Sequence, residues 1–235
     1  MKALDLFCGG GGASKGLSDV GFDVVGIDLQ EQPEYPFLFF QGDALKADLS
    51  DFDFIWASPP CQCYSWGTVK WRNKGKKYPD LVAKTRKILL KSGKPFVMEN
   101  VIGSPLRKDL VLCGEMFDLR IIRHRVFEIH GFSVPQITHK KHKNAVWNGS
   151  AIGVLQGGSP GCFGDKEKRK YYVTVAGHGG DGGKGNTTLK AWQEAMQIDW
   201  ITNKKTLAQC VPPAYARYIV EEFLKQQGRR ASSHR

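Results

Sequence analysis

The chain has 235 residues, of which 41% are apolar, and its 34 lysines and arginines against 23 acidic residues give a formal charge of +11. This composition suits one well-buried core, and no stretch is long and apolar enough for a membrane span or a signal peptide, so we expect a soluble protein of the cytoplasm with no membrane partner. The six cysteines lack the paired spacing of a zinc motif or a disulfide framework, which predicts reduced thiols.

The first predicted strand, over residues 2–7, runs into the glycine turn Cys8-Gly9-Gly10-Gly11-Gly12 and then a helix start. Glycines let a backbone approach a ligand, and a helix N-terminus offers free N–H groups. The turn alone fits either a tight connection or a nucleotide site. A second strand, over 24–28, ends in Asp28, about 20 residues past the turn, where a carboxylate suits a ribose. A third strand, over 37–41, precedes Asp43, and two such acids favour a nucleoside ligand.

The fourth predicted strand, over 52–57, leads into Ser58-Pro59-Pro60-Cys61-Gln62. The prolines stiffen this loop, so Cys61 is either a small buried hydrophobe or a thiol held ready as a nucleophile. A helix is predicted over 81–90, and a fifth strand, over 95–99, brings Glu99 to the same edge of the sheet.

Residues 110–129 favour two further strands, in which Arg123 and Arg125 alternate onto one face. After a glycine- and lysine-rich stretch, helical patterns resume at 188–196 and 213–226. The alternation of strands and helices predicts an α/β fold with a doubly wound, mostly parallel sheet.

These blocks, in this order, resemble the cytosine C5 methyltransferases that use S-adenosylmethionine, over residues 2–128 and again over 189–224. The resemblance implies a Rossmann-like methyltransferase fold and an enzyme that moves a methyl group from S-adenosyl-L-methionine to carbon 5 of cytosine in DNA, leaving S-adenosyl-L-homocysteine. It also implies that the target base is flipped out of the duplex, since carbon 5 is otherwise out of reach.

The resemblance assigns site residues by position. The cofactor-binding residues it implies are Phe7, Gly9, Gly11, Asp28, Asp43 and Gln209. The catalytic residues it implies are Cys61, Glu99, Arg123 and Arg125. In this reading Cys61 adds to carbon 6, a protonated Glu99 neutralises charge at N3, and the arginines hold the catalytic loop and the base, with Arg125 helping to lower the thiol pKa.

The resemblance further implies a catalytic and cofactor-binding domain over 1–129, a small irregular target-recognition region over 130–187 and a return to the catalytic domain over 188–228. The tail, 229–235, is expected to be disordered. We predict no metal site, because Cys61 and Cys63 are too close for a ligand pair, and His124 and His178 are expected to be hydrogen-bonded or surface groups.

The expected partner is double-stranded DNA, because lysines and arginines cluster at 70–77, 140–143 and 166–170 and the first cluster directly follows Cys61. We expect a monomer, with an accessory specificity subunit as a possible addition, that associates with the nucleoid when on DNA in a bacterial or phage restriction-modification setting. Two alternatives stay open. One is the same chemistry on RNA such as tRNA, and the other is a non-catalytic regulator that binds cofactor or DNA.

Overall fold

The computed structural model describes residues 1–139, 145–146, 154–155, 175 and 188–232 of the chain. Its main sheet has seven strands in the order β3-β2-β1-β4-β5-β7-β6. The bounds are β1 Lys2–Leu6, β2 Asp23–Asp28, β3 Leu38–Gln41, β4 Phe54–Ala57, β5 Phe96–Asn100, β6 Leu110–Leu112 and β7 Arg125–His130. Strands β1 to β5 pair in parallel, whereas β7 is antiparallel to both of its neighbours. The predicted doubly wound, mostly parallel sheet and its predicted strands are confirmed. Two further short strands, β8 Ala145–Val146 and β9 Val154–Leu155, pair with each other.

The described helices are α1 Gly12–Ser18, α2 Val69–Asn73, α3 Val82–Ser92, α4 Leu189–Met196, α5 Lys204–Gln209 and α6 Pro213–Ser232. Helix α3 confirms the helix predicted over 81–90. Helix α6 continues six residues beyond its predicted end and so enters the segment expected to be a disordered tail, because Arg229, Arg230 and Ala231 are good helix formers.

The two faces of the sheet bury separate apolar layers. On one face, Phe223 of α6 packs on Phe54 of β4 with ring centroids 5.0 Å apart. On the other face, Leu89 of α3 lies among Leu4 and Leu6 of β1. Every residue of β4 is buried, as expected for a central parallel strand that is covered on both sides.

The order of strands reverses between β1 and β4, because the chain builds outward from β1 in one direction and then from β4 in the other. In open α/β sheets a crevice forms at such a point, outside the carboxyl ends of the strands. The glycine turn after β1 and the Cys61 loop after β4 therefore lie on either side of one crevice. Among the described residues, no helix has both the length and the apolar character to cross a membrane.

Candidate active site

The turn after β1 holds a backbone conformation suited to close approach by a ligand. Phe7 and Gly9 both have positive φ, 60° and 49°, and an added Cβ at Gly9 would have no atom within 4 Å. The backbone N–H of Gly9 donates to Asp28 Oδ2 at 3.1 Å, and Gln30 N–H donates to Asp28 Oδ1 at 3.0 Å. The structure thus joins two of the predicted cofactor residues, Gly9 and Asp28, directly.

The other side of the turn is closed by the C-terminal part of the chain. An added Cβ at Gly12 would lie 2.1 Å from the carbonyl oxygen of Val211, so only glycine fits there. The indole N–H of Trp200 donates to the carbonyl oxygen of Gly10 at 2.9 Å. Gln209 is exposed at the end of α5, directly before the segment that packs on the turn, so it lies at the rim of the predicted cofactor site.

Asp43 lies after β3, on the same edge of the sheet. Its side chain is 42% exposed; its Oδ1 accepts the backbone N–H of Leu45 and so caps a short turn, and its Oδ2 lies 4.0 Å from Nζ of Lys46. Two large apolar side chains nearby in the fold, Leu29 and Phe40, are 71% and 55% exposed. Acids beside exposed apolar groups suit a ligand that has both hydroxyls and a flat apolar ring.

The buried hydrogen-bonded side chains below the turn were not predicted from the sequence. The Ser14 hydroxyl of α1 donates to Asp5 of β1 at 2.5 Å and lies 2.7 Å from the Tyr35 hydroxyl. Burial, only partly offset by the Ser14 hydrogen bond, raises the pKa of Asp5 to about 7. Asp5 therefore fastens the glycine turn to the sheet, and the only sequence signal was a carboxylate within an apolar strand.

Cys61 and Glu99 share one electrostatic environment beside Arg125. The Nε of Arg125 lies 2.8 Å from Glu99 Oε1, and both side chains are largely buried. Burial raises the pKa of Glu99 above its usual range, although Arg125 and Arg123 lower it. Burial likewise raises the pKa of Cys61, with Arg125 acting in the lowering direction. The expected effect of Arg125 on the thiol is present, but burial outweighs it, so the pKa of Cys61 and that of Glu99 both lie above their ordinary values.

Two side-chain links hold the Cys61 loop against β5. The indole N–H of Trp56 donates to Ser58 Oγ at 3.0 Å, and the Ser58 side chain hydrogen-bonds to Glu99. The Asn100 amide donates to the carbonyl oxygen of Pro59 at 2.8 Å. Because the Trp56 donor occupies a lone pair of the Ser58 oxygen, the Ser58 hydroxyl proton is free to point at Glu99. Ser58 is a site residue that sequence analysis missed.

Arg123 takes a different direction from Arg125. Its guanidinium group donates to the carbonyl oxygens of Ala208 at 2.7 Å and Cys210 at 3.0 Å, and to that of Val175 at 3.3 Å. Burial lowers its pKa to about 10, which leaves it charged at neutral pH. The two arginines predicted to act as a pair thus contact different groups: Arg125 contacts Glu99, and Arg123 ties β7 to the end of α5.

The backbone of the basic segment after Cys61 is held by the arginine within that segment. Arg72 of α2 donates to the carbonyl oxygens of Gln62 at 2.9 Å and Ser65 at 2.8 Å. Trp66 and Trp71 remain 66% and 42% exposed, so neither indole is packed beneath the loop. This segment therefore presents cationic and aromatic groups to solvent beside the crevice. The basic clusters at 140–143 and 166–170, and His178, lie outside the described residues.

Comparisons with known proteins agree with the sequence resemblance. Residues 1–108 match the family model of the C-5 cytosine-specific DNA methylases. The match spans β1 to β5, less than half of the chain, and includes the glycine turn, Cys61 and Glu99. Comparison with curated proteins gives no match.

Solved structures show the same fold. Dnmt2 methyltransferase of Schizosaccharomyces pombe is 12% identical with a TM-score of 0.54, covering 97% of this chain and 99% of that chain. The methyltransferase EhMeth of Entamoeba histolytica is 12% identical with a TM-score of 0.55, covering 97% and 98%. A structure described as a DNA modification methyltransferase of an Escherichia coli prophage is 22% identical with a TM-score of 0.40. The matched part covers 54% of this chain and 45% of that chain, so this chain spans about half the length of the prophage protein. The predicted Rossmann-like methyltransferase fold is confirmed.

Substitution of Arg123 by methionine tests its structural role. Arg123→Met leaves the carbonyl groups of Ala208 and Cys210 buried without donors, so we expect it to lower the free energy of unfolding by about 2–4 kcal/mol. Urea unfolding followed by circular dichroism measures this change. The matched control is Arg120→Met, whose exposed pair with Glu194 predicts a loss below about 0.5 kcal/mol. Equal stability of the two variants would contradict the role given to Arg123.

The pH dependence of Cys61 alkylation tests the electrostatics of the site. Only the thiolate reacts with iodoacetamide, and burial raises the pKa of Cys61, so the midpoint of its alkylation rate should lie at higher pH than that of an ordinary thiol, about 8.5. In Arg125→Met, loss of the nearby cation should move the midpoint to still higher pH. Mass spectrometry of the Cys61 peptide reports the rate. A wild-type midpoint at or below that of an ordinary thiol would refute this description.

Proposed function

We propose that this chain transfers a methyl group from S-adenosyl-L-methionine to carbon 5 of cytosine in DNA, through a covalent adduct between Cys61 and carbon 6 of a flipped base. The observation that carries the proposal is the common environment of Cys61, Glu99 and Arg125, at the edge of the sheet that also holds the glycine turn and Asp28. The family match to residues 1–108 supports the reaction class.

The residues around the turn fit the cofactor. Asp28 keeps free lone pairs for ribose hydroxyls beyond the two N–H groups it accepts, and the partly exposed carboxylate of Asp43, beside exposed Lys46, suits the adenine amino group. Phe7, Gly9 and Gly11 would shape the backbone against the ligand, and exposed Leu29 offers an apolar surface to its ring. When bound, the cofactor supplies an electrophilic methyl group on a positively charged sulfur.

The catalytic residues would then act as follows. Cys61 gives up its proton to water and its thiolate adds to carbon 6 of cytosine, while Glu99, whose pKa is raised by burial, donates its proton to N3. Carbon 5 gains the methyl group and then loses its own proton to water. Elimination of the Cys61 thiolate restores the ring as N3 returns its proton to Glu99. Arg125 stabilises both anionic forms, the thiolate and the carboxylate, in turn.

The segment 62–77 supports a nucleic-acid substrate. Its lysines and exposed tryptophans lie beside the crevice, where phosphates and an opened base stack would be within reach. Lys74 lies 5.9 Å above the Trp71 ring, a cation held next to an exposed aromatic face. Both groups suit contact with the strand from which the base is flipped.

Covalent trapping tests the nucleophile and the substrate together. DNA that carries 5-fluorocytosine should trap the wild type with cofactor in a complex that survives denaturing electrophoresis, because fluorine cannot leave as a proton. Cys61→Ala should form none, whereas the matched control Cys63→Ala should form it as the wild type does.

Fluorinated tRNA and cofactor-free reactions are the parallel arms. Trapping on tRNA alone would replace DNA by RNA as the substrate. Trapping on neither, by a protein that still binds cofactor, would make the chain a non-catalytic binder. An adduct in Cys61→Ala would overturn the assignment of the nucleophile.

Calorimetry tests the cofactor site. Asp28→Ala removes a charged hydrogen-bond acceptor, so we expect it to weaken binding of S-adenosyl-L-homocysteine by about 1–3 kcal/mol. Asp51→Ala, at an exposed acid on the opposite edge of the sheet before β4, is the control and should bind as the wild type does. Unchanged affinity in Asp28→Ala would argue against Asp28 as a cofactor residue.

A further inference from the structure

Three potential metal ligands meet outside the crevice. The Cys113 sulfur and one ring nitrogen each from His124 and His139 lie within 4.8 Å of one another. Cys113 is fully buried, the two histidines are partly exposed, and the imidazole rings meet edge to face with centroids 5.1 Å apart. The proposed methyl transfer uses none of these side chains.

Pairing of the backbone explains why residues so far apart in sequence converge. Strands β6 and β7 pair antiparallel, with Leu112 opposite Arg125, so the next pair in this register is Cys113 opposite His124. The segment 131–139 then returns along the other side of β6, where Gln136 both accepts from and donates to the backbone of Val111, at 3.0 and 2.9 Å. His139 follows three residues later and so reaches Cys113.

The returning segment is held from α6 as well. Tyr218 donates to the carbonyl oxygen of Pro135 at 2.7 Å, and Gln226 donates to that of Ser133 at 2.7 Å. The position of His139 is therefore set by contacts on both sides of its segment, not by the cluster itself. A ligand set placed in advance by the fold loses little entropy when it binds an ion.

We propose that Cys113, His124 and His139 bind a zinc ion. Thiolate and imidazole are the ligands zinc prefers in proteins, at about 2.3 Å for sulfur and about 2.0–2.1 Å for nitrogen. Tetrahedral bonds of those lengths put ligand atoms about 3.3–3.6 Å apart. A contraction of about 1 Å, within the reach of side-chain rotation, converts the observed cluster into that geometry.

The surrounding groups favour a cation. Burial raises the pKa of the Cys113 thiol, and the backbone N–H groups of Glu115, Arg123 and Gly114, which donate hydrogen bonds to the sulfur, act in the lowering direction. The positive side chains next to His124 point elsewhere, Arg123 to backbone carbonyl groups and Arg125 to Glu99. The carboxylate of Glu115 adds negative charge near the sulfur.

The proposal departs from the expectation that the chain has no metal site. Spacings of eleven and fifteen residues match no short zinc motif, so the sequence alone gave no signal. The ion would join β6 and β7 to His139, which lies in the first ten residues of the predicted recognition region, 130–187. It would leave a fourth coordination position for water or another group.

Metal analysis of the untagged wild-type chain is the first test. We expect a single tightly bound zinc ion per chain by mass spectrometry, and X-ray absorption should show one sulfur at about 2.3 Å with nitrogen or oxygen at about 2.0–2.1 Å. Cobalt in place of zinc should give the absorption of a tetrahedral thiolate site. Zinc should also protect His124 and His139, but not exposed His130, from diethyl pyrocarbonate. These readouts need no variant.

Variants locate the ion. Cys113→Ser and His139→Gln should each weaken zinc binding by more than about 100-fold, since even an outer partner of a ligand changes affinity about 10–100-fold. His130→Gln and Cys63→Ser are the matched controls and should bind as the wild type does. No bound metal, no sulfur ligand, no protection of the two histidines, or full affinity in both cluster variants would each overturn the proposal.

Discussion

The buried ion pair between Glu99 and Arg125 organises the crevice. Glu99 lies opposite Phe127 in the β5–β7 ladder, so Arg125, two residues along, projects from the same face. Burial of two charges is costly unless their geometry is good and their other lone pairs are satisfied. Here the Ser58 side chain hydrogen-bonds to the Glu99 carboxylate, in addition to its ion pair with Arg125, and so links the carboxylate to the Cys61 loop. The antiparallel strand in a parallel sheet is thus what brings a cation to the carboxyl end of β5.

The matched segment, residues 1–108, depends on residues far beyond it. Gly12 packs on the Val211 carbonyl group, and an added Cβ at Gly16 would lie 2.3 Å from that of Pro213. Trp200 hydrogen-bonds to the turn itself, and Arg123 holds the end of α5 in place. The C-terminal return therefore forms one wall of the proposed cofactor site. The proposed site therefore uses residues that lie beyond the part of the chain matched by the family model.

Strands and their end residues were predictable because both follow from local pattern. Apolar runs identified β1 to β5, and a carboxylate after a strand placed Asp28 beside Gly9 before any contact was known. Arg123 shows where pattern fails. Its spacing to Arg125 predicted a shared role, but its direction is set by the carbonyl groups of Ala208 and Cys210, which no local sequence signal connects to it. The Ser58–Glu99 link and the Cys113–His124–His139 cluster were missed for the same reason, since strand register creates them.

Residues 123 to 125 form one extended stretch in which each side chain contacts a different part of the protein. Alternate side chains of such a stretch face opposite ways, which agrees with Arg123 and Arg125 contacting the interior while His124 turns to Cys113. If zinc binds as proposed, it links His139 of the predicted recognition region to His124. His124 is directly followed in the chain by Arg125, the arginine that pairs with Glu99. A misplacement of about 1 Å at a reacting group can cost about a hundredfold in rate. A zinc ion bound at His124 would therefore help to hold Arg125 in position beside Glu99.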